Sequence, residues 1–464
     1  MKTIDYLPRA AMLRLLAFLR IRNVRRALTA FGAALSIAQS SVAYAQDPTP
    51  GSLHTSPFPG FASGTGKIAN LAIGSGVDGS NAIALQADGK IVLAGECVSG
   101  GVGNFCVARL NADGSLDQSF QGPNGNGGGK FLLPIGAGGG GANAVAVQGD
   151  GKIVIAGYCY NGADDDFCLA RLSVDGSLDT SFDGPSGSGD GKFLLAISAF
   201  EDYAHALTLQ SDGKMVLAGQ CGSAIIGHGF CAVRLNADGS FDTSFGGPSG
   251  TGNGVAQVPF GTVGGVAYAV AVQPDGKIVL AGTCAGDFCV ARLNAGGSFD
   301  TSFVGPSGAS NGNFTLPIGS SSDFAASLAL QADGKLVLAG NCYNGVNDDF
   351  CVARLNVNGS LDASFDGPSG FANGKFLLPM GAGNDAARAA AVQSDGKIVI
   401  AGHCFNGANT DFCVARLNVD GSLDTSFDGP IGNGNGQVLL PIGAGSDVAK
   451  ALALQTDGRI VVAG

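Results

Sequence analysis

Positive charge is scarce in this chain and grows scarcer once its N-terminal leader is set aside. The 464 residues carry 26 lysines and arginines against 37 acids, a net charge of −11. Seven of the basic residues (Lys2, Arg9, Arg14, Arg20, Arg22, Arg25 and Arg26) fall in the first 45 with a single acid, so the remainder stands near −17. Nucleic-acid binding needs a basic footprint and adhesion to anionic lipid needs one too, so both are disfavoured. The acidity favours solubility and cationic partners or metal ions. There is no tryptophan, which argues against a lectin-like or quinone-dependent site built on tryptophan platforms. The four histidines, His54, His205, His228 and His403, form no H-x-x-x-H motif and read as surface or loop residues. No nucleophile elbow occurs. Glycine runs such as Gly125–Gly129 lack the lysine and the following helix of a phosphate cradle. Past the leader no apolar run approaches the ~20 residues that span a bilayer.

What is present is a repeat. Asp88–Phe120 reads DGKIVLAGECVSGGVGNFCVARLNADGSLDQSF, and close copies start at Asp150, Asp212, Asp275, Asp333 and Asp395, with a half-copy at Asp457. A fixed period near 60 residues marks a repeat architecture. In the unit Asn143–Ile197, the run Asn143–Val147 leads through Asp150-Gly151, a hairpin-turn dipeptide, into Lys152–Gly157. A loop of variable length precedes Phe167–Leu172, Asp175-Gly176 turns the chain again, and Lys192–Leu195 closes the unit. These are four short antiparallel strands, a to d, without helical length or period. The expected fold is therefore all-β, a β-propeller of four-stranded blades. Gly66–Ile73 matches the d strands and Ala451–Gly464 an a–b hairpin. If these ends pair, the ring has seven blades, the last lacking strand c. An open array cut from a longer chain is the rival geometry.

Residues 1–45 read as a secretory signal peptide: a basic leader, the apolar stretch Ala27–Ala38 and the small-residue site Ala43-Tyr44-Ala45. Residues 46–65 read as a flexible linker and 66–464 as the repeat domain. Export is the expected destination, whether periplasm, cell surface or medium. All 12 cysteines fall in pairs, one per full unit: Cys97/Cys106, Cys159/Cys168, Cys221/Cys231, Cys284/Cys289, Cys342/Cys351 and Cys404/Cys413. One member ends strand b and the other begins strand c, so the two thiols are expected across the hairpin from each other, as disulfides. Two cysteines per unit with no nearby histidine are too few ligands for zinc.

Segments such as DGKIVLAG, FCVARLNADGSLDQSF and FCVARLNVDGSLDTSF resemble the delta-60 repeat family. That resemblance covers Gly66–Gly464 and implies a bacterial, exported β-propeller domain of unknown function. It brings no catalytic or ligand residues with it. The regular cysteine pairs lie outside the family pattern, so the disulfide reading rests on their spacing.

Three features bear on chemistry. The c–d turn Asn111–Asp117 places oxygen ligands at alternate positions, a pattern that suits calcium. However, the Asp113 position is Gly296 and Asn358 in other units, which is the preference of a turn. No cofactor is expected, calcium being the alternative. Every full unit pairs an arginine on strand c with a later aspartate: Arg109/Asp117, Arg171/Asp179, Arg234/Asp242, Arg292/Asp300, Arg354/Asp362 and Arg416/Asp424. Six copies point to architecture: the arginine face lies between blades, and each arginine is expected to meet an aspartate of this set within its blade or across to its neighbour. The b–c and d–a loops, which share one face of an up-and-down blade, vary and are acidic. They carry Asp164, Asp165, Asp166, Asp287, Asp348, Asp349 and Asp411, then Glu201, Asp202, Asp323, Asp385 and Asp447. Loops on a rigid ring are where binding is usually placed. The leading expectation is an exported, non-catalytic binding or scaffold module using this face, its partner a protein, a glycan or a cationic ligand. The alternatives are a hydrolase or lyase with a site near the tunnel mouth, and a calcium-stabilised adhesion repeat.

Overall fold

The DG dipeptides and β-branched runs fold as hairpins. The computed structural model describes residues 71–464, apart from short loop stretches (126, 186, 188, 224–226, 249, 251, 263, 369–372 and 430–433), together with Ala43–Ala45. In the first unit the four strands are Asp78–Leu85, Ile91–Ser99, Val102–Leu110 and Lys130–Leu133. Gly89 has φ +83°, and its amide donates to the Gln86 carbonyl at 2.9 Å, which closes the first hairpin in a conformation that suits glycine. The strands pair antiparallel in chain order, and five further units repeat the pattern, giving six four-stranded blades. Phe105–Leu110 of strand c is buried throughout, because blades stack on both of its faces.

Each apolar core is shared between neighbours. Val92, Phe105, Val107 and Phe120 of the first blade pack with Ile153, Ile155, Ala170 and Leu172 of the second, and the arrangement recurs around the ring. A seventh sheet has three strands in the order Ala43–Ala45, Ile460–Ala463, Ala451–Leu454. It packs on the sixth blade through Ile460 and Val462 and on the first through Val461 and Ala463, which meet Ile91, Leu93, Ala108 and Leu110. The two ends of the repeat array therefore meet.

Two segments near the start of the chain bear on this closure. The outermost strand assigned to Gly66–Ile73 falls mostly on residues 66–70, outside the described residues; Leu71–Ile73 is in no strand, although Leu71 is buried in the closing cluster. Ala43–Ala45, read as a leader cleavage site, pairs with the open edge of Ile460–Ala463, where unpaired backbone groups accept any extended partner.

All six expected disulfides form: Cys97–Cys106, Cys159–Cys168, Cys221–Cys231, Cys284–Cys289, Cys342–Cys351 and Cys404–Cys413, with Cα separations of 5.5–5.8 Å. The expectation that the two thiols of a pair face each other directly is corrected by the register. The residue opposite each second cysteine is a glycine of strand b: Gly95 for Cys106, Gly157 for Cys168, Gly219 for Cys231, Gly282 for Cys289, Gly340 for Cys351 and Gly402 for Cys413. The first cysteine lies two residues further along strand b, opposite Asn104 in the first blade and Asp166 in the second. Each bridge is therefore diagonal, between residues on the same face of the sheet and within side-chain reach. The facing position is closed to cysteine because strand a crowds it: a Cβ on Gly95 would lie 1.9 Å from the Gly79 carbonyl oxygen.

Candidate binding site in the central channel

The innermost strand of each blade contains one residue too many. Register breaks flank Asn81, Asn143, His205, Tyr268, Ala326 and Arg388. An extra residue left out of the ladder is a β-bulge, which turns its side chain away from the regular alternation. The equivalent place in the last sheet is Lys450, whose amide donates to the Ala463 carbonyl. Glycine on the neighbouring strand makes room for the bulge: a Cβ on Gly219 would lie 1.8 Å from the Tyr203 carbonyl oxygen. All seven bulge positions line one central cavity of about 570 Å³.

Around the cavity the bulge residues and their neighbours divide into two halves. One is aromatic: Tyr203 and His205 stack with ring centroids 6.2 Å apart, His205 and Tyr268 lie at 4.8 Å, and Tyr268 and Phe324 at 4.4 Å. The other is cationic and amide-rich. The Arg388 guanidinium sits 5.5 Å from the Phe324 ring centroid, and Lys450 Nζ donates to Asn81 Oδ1 at 2.8 Å. The Asn81 and Asn143 amides are aimed by donating to the Ala142 and Ala204 carbonyls of the next blades. Burial pushes His205 down to about 4, and burial with the Arg388 and Lys450 charges does the same to His403. Both imidazoles are thus neutral at pH 7, and His205 Nε2 and His403 Nδ1 are buried without a hydrogen-bond partner. The surface or loop reading of these two histidines is corrected: the inner strand Tyr203–Leu209 brings His205 to the channel, and His403 lies within the strand Ile398–Phe405. His228 is half-buried near the start of Gly227–Leu235, and His54 lies outside the described residues.

The acidic loops are placed differently from an open rim. Asp166, Asp202, Asp323, Asp349, Asp385 and Asp411 are buried. Asp202, Asp323, Asp385 and Asp447 clip the d–a loops by accepting backbone amides, for example Ile197 N at 2.9 Å and Gly443 N at 2.9 Å. Asp166, Asp349 and Asp411 accept from Asn161, Asn344 and Asn406 within the b–c loops. Burial, the foremost cause, raises Asp166, Asp323, Asp349, Asp385 and Asp411. Asp164 bonds Asn161, and Asp165 accepts from the Tyr203 hydroxyl at 2.7 Å. Asp287 and Asp348 are half-buried, and Glu201 is exposed.

The arginine–aspartate pairs form latches. Each arginine Nε donates to its aspartate Oδ2 at 2.6–2.7 Å within the blade. The guanidinium lies over a buried phenylalanine, such as Phe120 at 4.3 Å. In the first five blades it also reaches the neighbouring blade, Arg109 donating to the Val174 carbonyl and Arg292 to that of Val357. In the c–d turn, Asp113 Oδ1 accepts from the Ser115 amide and hydroxyl, so the oxygen considered for calcium holds the turn. Among the described residues no group of three or more His, Cys, Asp or Glu side chains is placed to hold a metal.

Six segments, residues 86–120, 148–182, 210–245, 273–303, 331–365 and 393–427, match the family described as domain of unknown function (DUF5122) beta-propeller. These matches support a β-propeller repeat family of unknown function. The DUF5122 segments begin at the a–b turn and end beyond the latch aspartate, so the bulged inner strands fall between them. No curated protein matches the chain in sequence. Solved structures resemble it in fold alone. A protein of unknown function from Dyadobacter fermentans has 12% identity over 73% of this chain and 94% of its own, with a TM-score of 0.43. Sqt1 of Chaetomium thermophilum, bound to the N-terminus of the ribosomal protein L10, has 13% identity over 85% and 98%, with a TM-score of 0.42. A polysaccharide lyase of family PL25, an ulvan lyase, has 13% identity over 76% and 84%, with a TM-score of 0.45.

The channel residues escaped the reading of the sequence, though a signal was there. At the same place in each successive inner strand the sequence runs Asn, Asn, His, Tyr, Ala, Arg, Lys, while the positions on either side stay small. Variation confined to one position of a repeat marks a place the architecture does not need to fix.

Proposed function

We propose that this protein is an exported, non-catalytic binding propeller whose ligand enters the central channel from the face carrying the variable loops. The observation that carries this reading is the bulge ring: near-identical blades present seven positions to one cavity, and six of them hold polar or aromatic groups. Architecture needs none of those differences, whereas a specific site needs convergent, unlike groups in a pocket of this size. The hairpin Ala451–Leu454 and Ile460–Ala463, which remains once the leader is removed, acts as a seventh blade in this reading and completes the channel wall. Six disulfides fit an oxidising compartment outside the cytosol, and among the described residues no helix is long and apolar enough to cross a membrane. The exposed part of the acidic loops forms the approach to the site.

The experiment compares the wild type, a channel variant (His205→Ala/Tyr268→Ala) and a rim variant (Asp164→Asn/Glu201→Gln) against a library of small molecules and glycans, by thermal shift. Ligands of the wild type should be lost at least tenfold in affinity in the channel variant and kept in the rim variant. The reverse pattern would return the site to the acidic loops.

A further inference from the structure

The channel holds two cations for which the protein supplies no carboxylate. Each of the other seven described arginines makes an ion pair with an aspartate. Arg388 makes none among the described residues: its contact is the Phe324 ring. Lys450, at the equivalent position of the next inner strand, bonds only the neutral Asn81 amide oxygen through its ammonium. Glu96 acts on Lys450 from beyond ion-pair reach and accepts the Tyr158 hydroxyl at 3.1 Å. In a chain with eleven more acids than bases, no carboxylate among the described residues is placed within ion-pair reach of either. Arg388 is half-buried and Lys450 stands exposed at the cavity wall; a half-buried charge without a counter-charge is unfavourable, and it persists most readily where something from outside completes it. Beside Arg388 stands the Phe324 ring, itself against Tyr268, and both offer flat apolar faces; the same cavity holds His205 Nε2, a neutral acceptor with no partner.

We infer that the channel takes a small carboxylate whose body is a ring with an apolar face, the carboxylate meeting Arg388 and Lys450 and the ring lying against Tyr268 and Phe324. Aromatic acids and uronic acids share this chemistry. A cavity of about 570 Å³ falls in the range of small-molecule sites and is too small for a folded partner. The inference rests on the channel being the binding site and adds the class of ligand.

Isothermal titration of the intact protein with benzoate and with glucuronate, each beside a neutral counterpart (benzyl alcohol, glucose), tests it. At least one carboxylate should bind while its counterpart does not at the same concentration. Affinity should fall tenfold or more in Arg388→Ala and in Lys450→Ala, and should weaken as salt is raised. Which of the two acids binds names the ring. Neither side chain is part of a latch, so thermal melting should confirm that both variants stay folded. Equal binding of the neutral counterpart, undiminished binding in the double variant, or silence of both acids at millimolar concentration would overturn the ligand class. Those outcomes leave the channel itself to be judged by the library comparison, where loss of ligands in the rim variant alone would remove both.

Discussion

Arg292 meets several demands with one side chain. Its Nε donates to Asp300 at 2.7 Å, its guanidinium covers Phe303 at 4.3 Å, and another nitrogen reaches the Val357 carbonyl of the next blade. Burial alone would raise the Asp300 carboxyl, but hydrogen bonds from Ser302 and the Arg292 charge outweigh it and hold the group at about 2. A carboxylate depressed in the folded state stabilises above its unfolded pKa of ~4 and loses that contribution as pH falls through the folded value. Asp300→Asn leaves the buried Arg292 without a counter-charge, an effect of about 3 kcal/mol. Denaturant unfolding at pH 7 should show that loss, and the gap to wild type should narrow between pH 4 and pH 2. A gap independent of pH would mean that shape and not charge makes the latch.

At the scale of the element, the bulge and the glycine beside it act together. Gly219 admits the Tyr203 carbonyl where a Cβ would stand 1.8 Å away, and Gly282 does the same for Val266 at 1.9 Å. Either glycine replaced by alanine forces two strands apart, at about 3 kcal/mol for overpacking of this kind. Gly219→Ala should also displace Tyr203 and His205, and Gly282→Ala the bulge that carries Tyr268, so both should weaken ligand binding as well as stability. Melting temperatures and titrations of the two variants check both effects. The hairpins, the cysteine pairing and the latch partners were legible because each depends on residues close in the chain. DG turns fix which strands are adjacent, and adjacency fixes which cysteines meet. The diagonal placement of Cys97 and Cys106, and of Cys284 and Cys289 across their shorter loop, was not legible, because register depends on the ladder. Nor was the bulge, since an unpaired residue leaves no mark in alternation when its neighbours are alanine and glycine.

For the whole molecule the question is closure. Val461 is fully buried among Ile91, Leu93, Ala108 and Leu110 of the first blade, and this cluster joins the two ends of the array. Val461→Asp puts an unpaired charge into that seam, a penalty of several kcal/mol. The ring is expected to open there first. Small-angle scattering should show a larger radius of gyration while circular dichroism keeps its β signature. An unchanged radius with full stability would mean that the seam contributes nothing to closure.

Chain-local chemistry was decided by the sequence: the period, the four strands of each unit, the sulfur pairs and the arginine–aspartate partners all follow from residues at most a hairpin apart. Even the meeting of the two ends was foreshadowed by matching half-units. What only the tertiary structure decided is which residues share the axis. His205, Tyr268, Arg388 and Lys450 lie in separate repeat units, and nothing local links them. They converge because a closed ring brings the same position of every inner strand to one cavity, and the folded loops turn Asp202, Asp323, Asp385 and Asp447 back onto their own backbone amides.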